Sequence, residues 1–315
     1  MAVVPAFGSH VIFVAPKSLG KLSQENIKMD TIVYQGLTGL TAAMFLWLVS
    51  AGLTIAFGVC GILNIAHGVL YMFGGYFLLT FYQLLGMNFW LSILLALLSV
   101  GFIGLVLELG FLRPIYKEPI EIQLVLTFAF VWVFDDLAKL AWGPVSKIVA
   151  MPGFFEGFVP IIGRPFPVYN VFIIGAGLAT AIIIWLLLDK TWWGKSIRAS
   201  ALDREMASAL GINIRTLFSG AFMFAAAIAA LGGALSVPMR VVGPGIGGAI
   251  IVQAFVVTVI GGLGNLKGAF VGALIVGVVG AFCTLYIPVF EMFIIYIIMA
   301  VVLLIRPQGI FGEIK

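Results

Sequence analysis

Residues 31–107 contain no Asp, Glu, Lys or Arg. A helix that crosses the hydrocarbon core of a bilayer needs about 20 apolar residues. This interval alone therefore holds three crossings with turns between them. In lipid every backbone polar group must be satisfied internally, which leaves only helices or a closed barrel. The runs are too long for barrel strands and lack their alternation, so an all-α, polytopic integral membrane protein is expected. Of the 315 residues, 63% are hydrophobic and 10% charged, against about 25% charged in soluble domains. A soluble core cannot hide such an excess, because folding still leaves a surface that faces water.

Clean apolar runs recur at Phe166–Leu188, Phe218–Val237, Ala269–Tyr286 and Val289–Ile305, with a shorter one at Ile250–Leu263. Ile122–Ala141 is poorer, because Asp135, Asp136 and Lys139 fall near its end. The expected bundle has eight or nine spans, depending on whether Ile250–Leu263 or the region around Asn64 is re-entrant. Residues 1–30 read as a polar arm, in which Pro5, Pro16 and Gly20 argue against a long helix, and residues 31–315 as one transmembrane domain. No basic, apolar and small-residue succession marks a signal peptide. Cys60 and Cys283 lie in apolar context and read as inert buried thiols.

Short loops rich in Lys and Arg mark the cytoplasmic side. Lys190–Arg215 holds five such residues, and Arg113–Pro119 and Arg306–Lys315 fit the same side. Threading between these points puts Trp142–Pro167, the turn near Asn88, the Arg240–Gly247 turn and Pro288 outside. The aromatic, Pro- and Gly-rich Trp142–Pro167 loop reads as an interfacial segment or a docking surface for an external partner. Gly264, Gly268 and Gly272, and the pairs Gly74–Gly75, Gly232–Gly233 and Gly247–Gly248, predict close helix packing, since small residues supply the contact that lipid does not. "GVCGILNIAHG" (Gly58–Gly68) and "GGLGNLKG" (Gly261–Gly268) echo each other as Gly-rich turns carrying an Asn.

The polar island between these runs is the cytoplasmic loop at residues 190–215. Ser200 followed three residues later by Asp203 reads as a capping box, and Gly211 as a left-handed stop. A helix of about ten residues between them would carry Leu202, Met206, Ala209 and Leu210 on one face, with Asp203, Arg204 and Glu205 off it. At 1.5 Å per residue it is too short to span a membrane. It either lies on headgroups or fits a groove on a cytoplasmic partner. The narrow, modest stripe favours the partner.

"WWGKSIRASALDREMASALGINIR" (Trp192–Arg215) resembles the coupling-loop signature of bacterial ATP-binding-cassette permeases of the branched-chain amino acid class. "GLTIAFGVCGILNIAHGVLYMFGGY" (Gly52–Tyr76), "FVVTVIGGLGNLKGAFVGALIVG" (Phe255–Gly277) and "RPQGIFG" (Arg306–Gly312) resemble the same family. The resemblance runs from about Gln35 onward and is closest to the shorter of its two permease types. It implies a transport subunit, not an enzyme, in a bacterial inner membrane. It also implies a sister permease (identical or not), two ATPase subunits and a periplasmic binding protein as partners. ATP and Mg would be bound by the ATPases and no cofactor by this chain. Leu202, Asp203, Arg204, Glu205, Met206, Ala207, Leu210 and Gly211 would form the coupling helix. Ala207 and Gly211 would permit close contact, and Arg204 and Glu205 would make rim contacts. The Gly-Lys-Ser of "WWGKS" is not a P-loop, because Asp189 stands where that motif requires Gly.

Polar groups inside a bilayer are costly and therefore suspect. Asn64 either caps the following helix or belongs to a helix break whose backbone groups meet an amino acid solute, and His67 either bonds a freed carbonyl or lines the same pathway. Thr127, Gln253 and Thr258 line a pathway or bridge helices. Asp135 and Asp136 are expected to pair with Lys139 on one helix face, and Glu108 and Glu121 to reach the inner interface near Arg113 and Lys117. No metal-ligand cluster or nucleophile–base pair is present, and no nucleic-acid partner is expected. The alternative is an ion-coupled secondary transporter of a small neutral solute. That reading requires titratable groups in mid-span, whereas the acids fall at span ends. A structural membrane protein without transport also stays open.

Overall fold

The computed structural model describes residues 17–161 and 163–312. The fold is helical, built from α1 (Lys17–Cys60), α2 (His67–Leu78), α3 (Phe89–Leu107), α4 (Ile120–Trp142), α5 (Val168–Lys190), α6 (Trp192–Leu202), α7 (Arg204–Ala209), α8 (Ile214–Ser236), α9 (Ile246–Gly261), α10 (Leu266–Tyr286) and α11 (Glu291–Ile305). Short π-helical turns extend α2 and α3. By length and composition five helices suffice to cross a membrane, while α9 and the apolar part of α11 are shorter.

Residues 1–16 of the expected arm lie outside the described residues. Residues 17–30 do not form a loose arm, because α1 already begins at Lys17.

Helix α1 is the axis of the bundle. Of its most apolar stretch 89% is buried, against 17% in α5. It packs on α10 and α8, and on α9 and α5 at its sides, while α2 and α3 also close on α8. The glycines explain the closeness. A Cβ on Gly233 would sit 1.8 Å from the Tyr71 carbonyl oxygen, and one on Gly74 2.2 Å from that of Ala230. A Cβ on Gly268 would meet the Gly261 oxygen at 2.0 Å. Backbone therefore touches backbone at these crossings, which gives the helices the dispersion contacts that no hydrophobic drive supplies in lipid. The large apolar side chains left exposed, such as Leu98, Phe102, Val125, Trp132, Ile183 and Ile297, cover the outer faces of α3, α4, α5 and α11. An apolar surface this extensive suits lipid or a partner.

Side-chain caps punctuate the chain. Asn88, Thr191, Asn213 and Asn265 accept from backbone amides at the starts of α3, α6, α8 and α10. The Trp142–Pro167 loop contains an antiparallel hairpin, β1 (Phe158–Ile161) and β2 (Arg164–Pro167). Phe155 packs on Phe172 and Tyr169 of α5, with ring centroids at 4.4 and 5.1 Å. Such an aromatic cluster at a helix end suits the membrane interface. The two Gly-rich turns that echo each other in sequence meet in space, where a Cβ on Gly58 would lie 3.2 Å from the Gly264 oxygen.

Candidate functional site

The polar island folds differently from the sequence expectation. It forms two helices, with the break at Asp203, whose carboxylate accepts from the Met206 amide at 2.9 Å. Ser200 caps nothing. It is fully buried in the last turn of α6, and its hydroxyl donates to the Ile197 carbonyl at 2.8 Å. An aspartate held at φ −148° and ψ 107° can cap. A serine inside a continuous helix instead bonds back to its own turn. Gly211 does end the helix in a left-handed conformation, with φ of 86°.

The six-residue α7 is held by three ties. Ala207 is 2% exposed and faces the bundle. The Ile212 amide donates to the Ala207 carbonyl. Arg204 sends its guanidinium inward, donating from Nη2 to the Cys60 carbonyl at 3.0 Å and lying 5.0 Å from the Phe218 ring centroid. Ala207 and Arg204 therefore make contact with their own chain, while Arg204 remains exposed. Leu202, Met206 and Leu210 project outward, at 88%, 59% and 74% exposed. Glu205 is exposed beside them.

Arg204 leads into a polar network at the same end of the bundle. Glu108 lies beside Arg113 as expected, but it is completely buried. It pairs with Arg113 at 3.1 Å and accepts from Tyr116 at 2.8 Å and Ser219 at 2.6 Å. Burial pushes the Tyr116 phenol above its ordinary range, so it stays a protonated donor. Tyr116 in turn packs edge-on against Phe218, the ring under Arg204. The expected Lys139 pairs with Asp135 and Asp136 form at 3.4 and 2.9 Å.

The second feature is the break between α1 and α2. Gly61 takes φ of 72° and ends α1, and α2 begins only at His67 with no side-chain cap. Asn64 caps nothing, and His67 bonds no carbonyl. Both are buried, at 2% and 0% exposure, and neither the Asn64 amide nor the two ring nitrogens of His67 has a hydrogen-bond partner among the described residues. Asn64 lines an apolar cavity of about 190 Å³ between α1, the break and α9, with Leu53, Leu63, Ile251 and Phe255. Buried polar groups are nearly always paired, and leaving one unpaired costs roughly 1–3 kcal/mol.

Thr127 reaches the same break, donating to the Leu63 carbonyl at 3.5 Å and the Leu124 carbonyl at 3.1 Å. Thr258 is buried but bonds the Ala254 carbonyl of its own helix. Gln253 lies away from Asn64, in a separate cavity one face round α9. Of the five candidates, only Asn64 and Thr127 are gathered at the break, with His67 just behind them.

A helical bundle sized to cross a bilayer, broken in its first hairpin and displaying a short helix at one end, defines a multi-pass membrane transport permease. The family model for the branched-chain amino acid transport system permease component matches residues 36–303, and the chain belongs to that family. It is 30% identical over 303 residues to the high-affinity branched-chain amino acid transport system permease protein LivH of Salmonella typhimurium, covering 89% of this chain and 95% of that protein. It is 28% identical over 292 residues to BraD of Pseudomonas aeruginosa, with the same coverage. A probable branched-chain amino acid transport permease protein LivH of Methanocaldococcus jannaschii is 27% identical, over 93% of this chain and 94% of that protein. The solved PsaBC complex with Fab from Streptococcus pneumoniae aligns with a TM-score of 0.46 and 17% identity, over 85% of this chain and 89% of that one.

Proposed function

We propose that this chain is the transmembrane subunit of an ATP-driven importer in a bacterial inner membrane. With a sister permease, identical or not, it forms the pathway for a branched-chain or other small amino acid, or a related amide or urea. A periplasmic binding protein delivers the solute. Two ATPase subunits bind ATP and Mg and seat α7 in a groove.

The observation that carries this reading is the display of Met206 on a short helix tied back by Ala207 and Arg204, flanked by exposed Leu202 at the end of α6 and Leu210 just after α7. Burying a large aliphatic side chain contributes about 1.5–3 kcal/mol, so three such residues suffice to seat a helix in a groove. The ties make the helix a rigid lever. A gradient-driven carrier requires an available acid in mid-span, whereas buried Glu108 is engaged by Arg113, Tyr116 and Ser219.

The test is to express the chain with its genomic neighbours and ask what co-elutes. An ATPase co-elutes with the native chain and is lost from Met206→Glu, while the purified permease keeps its thermal stability, because Met206 is exposed. Leucine uptake in a strain carrying the complete set requires the ATPase. Uptake that persists without any ATPase and collapses with an ionophore would replace this reading with the gradient-driven one.

A further inference from the structure

The turn between α8 and α9 brings an arginine against α1. Helix α8 ends at Ser236, and the Met239 and Arg240 amides fold back onto the Ser236 carbonyl at 3.0 and 2.9 Å. Val242 is then pinned by a backbone pair with Lys147. The turn thus packs on the Trp142–Pro167 loop, and the Gly245 amide donates to the Asp135 carboxylate. The Arg240 guanidinium lies 5.2 Å from the ring centroid of Phe45, which is 3% exposed. Phe45 lies in the buried stretch of α1, fifteen residues before Cys60. At 1.5 Å per residue it is about 22 Å along the helix from that end.

A cation held against a buried ring is costly unless it also faces a wet cavity or a partner anion. Arg240 is exposed, and among the described residues its side chain has neither an ion pair nor a hydrogen bond. It lines a cavity of about 150 Å³ that also receives Gln253 from α9. A single water needs only ~10–15 Å³ by the same measure, so the space suits a small solute. Val241, Val242 and Ile250 give it apolar walls, and the Tyr71 hydroxyl nearby is engaged with the Ser236 hydroxyl at 2.7 Å. One fork-shaped cation, one free amide and aliphatic walls match one chemistry, a carboxylate attached to a small apolar side chain.

We propose that Arg240 and Gln253 form a subsite on the outer half of the pathway that receives the carboxylate of a small apolar amino acid. The inference rests on the importer reading above and names how that solute is held. Arg240 takes the carboxylate through its fork, Gln253 adds a neutral hydrogen bond, and the valine and isoleucine walls take the side chain.

The experiment measures uptake of labelled L-leucine by the complete transporter in cells, with Arg240→Gln, Arg240→Lys and Gln253→Ala. Co-elution with the ATPase controls for assembly. A charge-assisted hydrogen bond is worth about 1.5–3 kcal/mol, so Arg240→Gln is expected to raise KM roughly 10- to 100-fold while ATPase co-elution is unchanged. Arg240→Lys keeps the charge without the fork and falls between, and Gln253→Ala loses less than Arg240→Gln. Uptake by Arg240→Gln within twofold of wild type overturns the proposal. So does loss of assembly in both arginine variants, which would assign Arg240 to the architecture. A wild-type transporter that couples to its ATPase but takes up no leucine sinks the assigned solute instead, and so separates the two failures.

Discussion

The Arg204 guanidinium donates to the carbonyl oxygen of Cys60 at 3.0 Å, joining the displayed helix α7 to the last residue of α1. One residue further, Gly61 turns the chain into the break that holds Asn64. The tie to α7 thus lies four residues along the chain from the buried Asn64 amide. A Cβ on Gly61 would come 3.2 Å from the Arg204 Nη2, so the close fit of this joint also depends on glycine there.

Arg204→Ala is expected to uncouple the transporter. The residue is exposed, so the stability loss is small, about 1 kcal/mol for one hydrogen bond and a cation–ring contact with Phe218. ATP hydrolysis by the assembled complex continues while leucine uptake falls several-fold. Parallel measurements of phosphate release and uptake check this, and equal losses in both would show that Arg204 is needed for docking itself.

Replacing Asn64 by Leu separates stability from transport. The change removes a buried amide with no partner and supplies apolar atoms to an apolar cavity. It is expected to stabilise the detergent-solubilised protein by about 1 kcal/mol and to lower uptake. A drop in melting temperature would mean that the amide has a structural role.

Glu108→Gln tests the polar network at the inner end. The carboxylate is fully buried, but the Arg113 side chain is 32% exposed. The loss should therefore fall below the 3–5 kcal/mol of a fully buried pair, at about 2 kcal/mol. Thermal unfolding of the purified protein reads it, with Glu121→Gln, at an exposed position, as the neutral comparison.

Two glycine substitutions of the same chemistry should differ in sign. Gly233→Ala drives a methyl to 1.8 Å from the Tyr71 oxygen, and separating two backbones costs about 3 kcal/mol or more. Gly248→Ala meets nothing within 4 Å and gains roughly 0.5–1 kcal/mol of helix propensity. Paired melting curves decide it.

The membrane class, the approximate number of crossings, the glycine contacts and the Lys139 pairs were all legible from residue order. Each depends on properties local to one segment: an uncharged run long enough for lipid, a missing Cβ, a charge one helical turn from its opposite. Gly211 was legible for the same reason, since a left-handed stop is a property of one residue.

The fates of Ser200, Ala207, Arg204, Glu108 and Arg240 were not. Ser200 lost its capping role because the helix continued past it to Asp203. Glu108 looked like an interface residue until α8 brought Ser219 and the following loop brought Arg113 and Tyr116 around it. Arg240 keeps its place in the turn after α8, but its contact with Phe45 of α1 was not visible in residue order. One-dimensional order carries hydropathy and local geometry, because those energies are summed along the chain. Which distant backbone a long cationic side chain can reach depends on how helices cross, and that is settled by packing between segments more than a hundred residues apart.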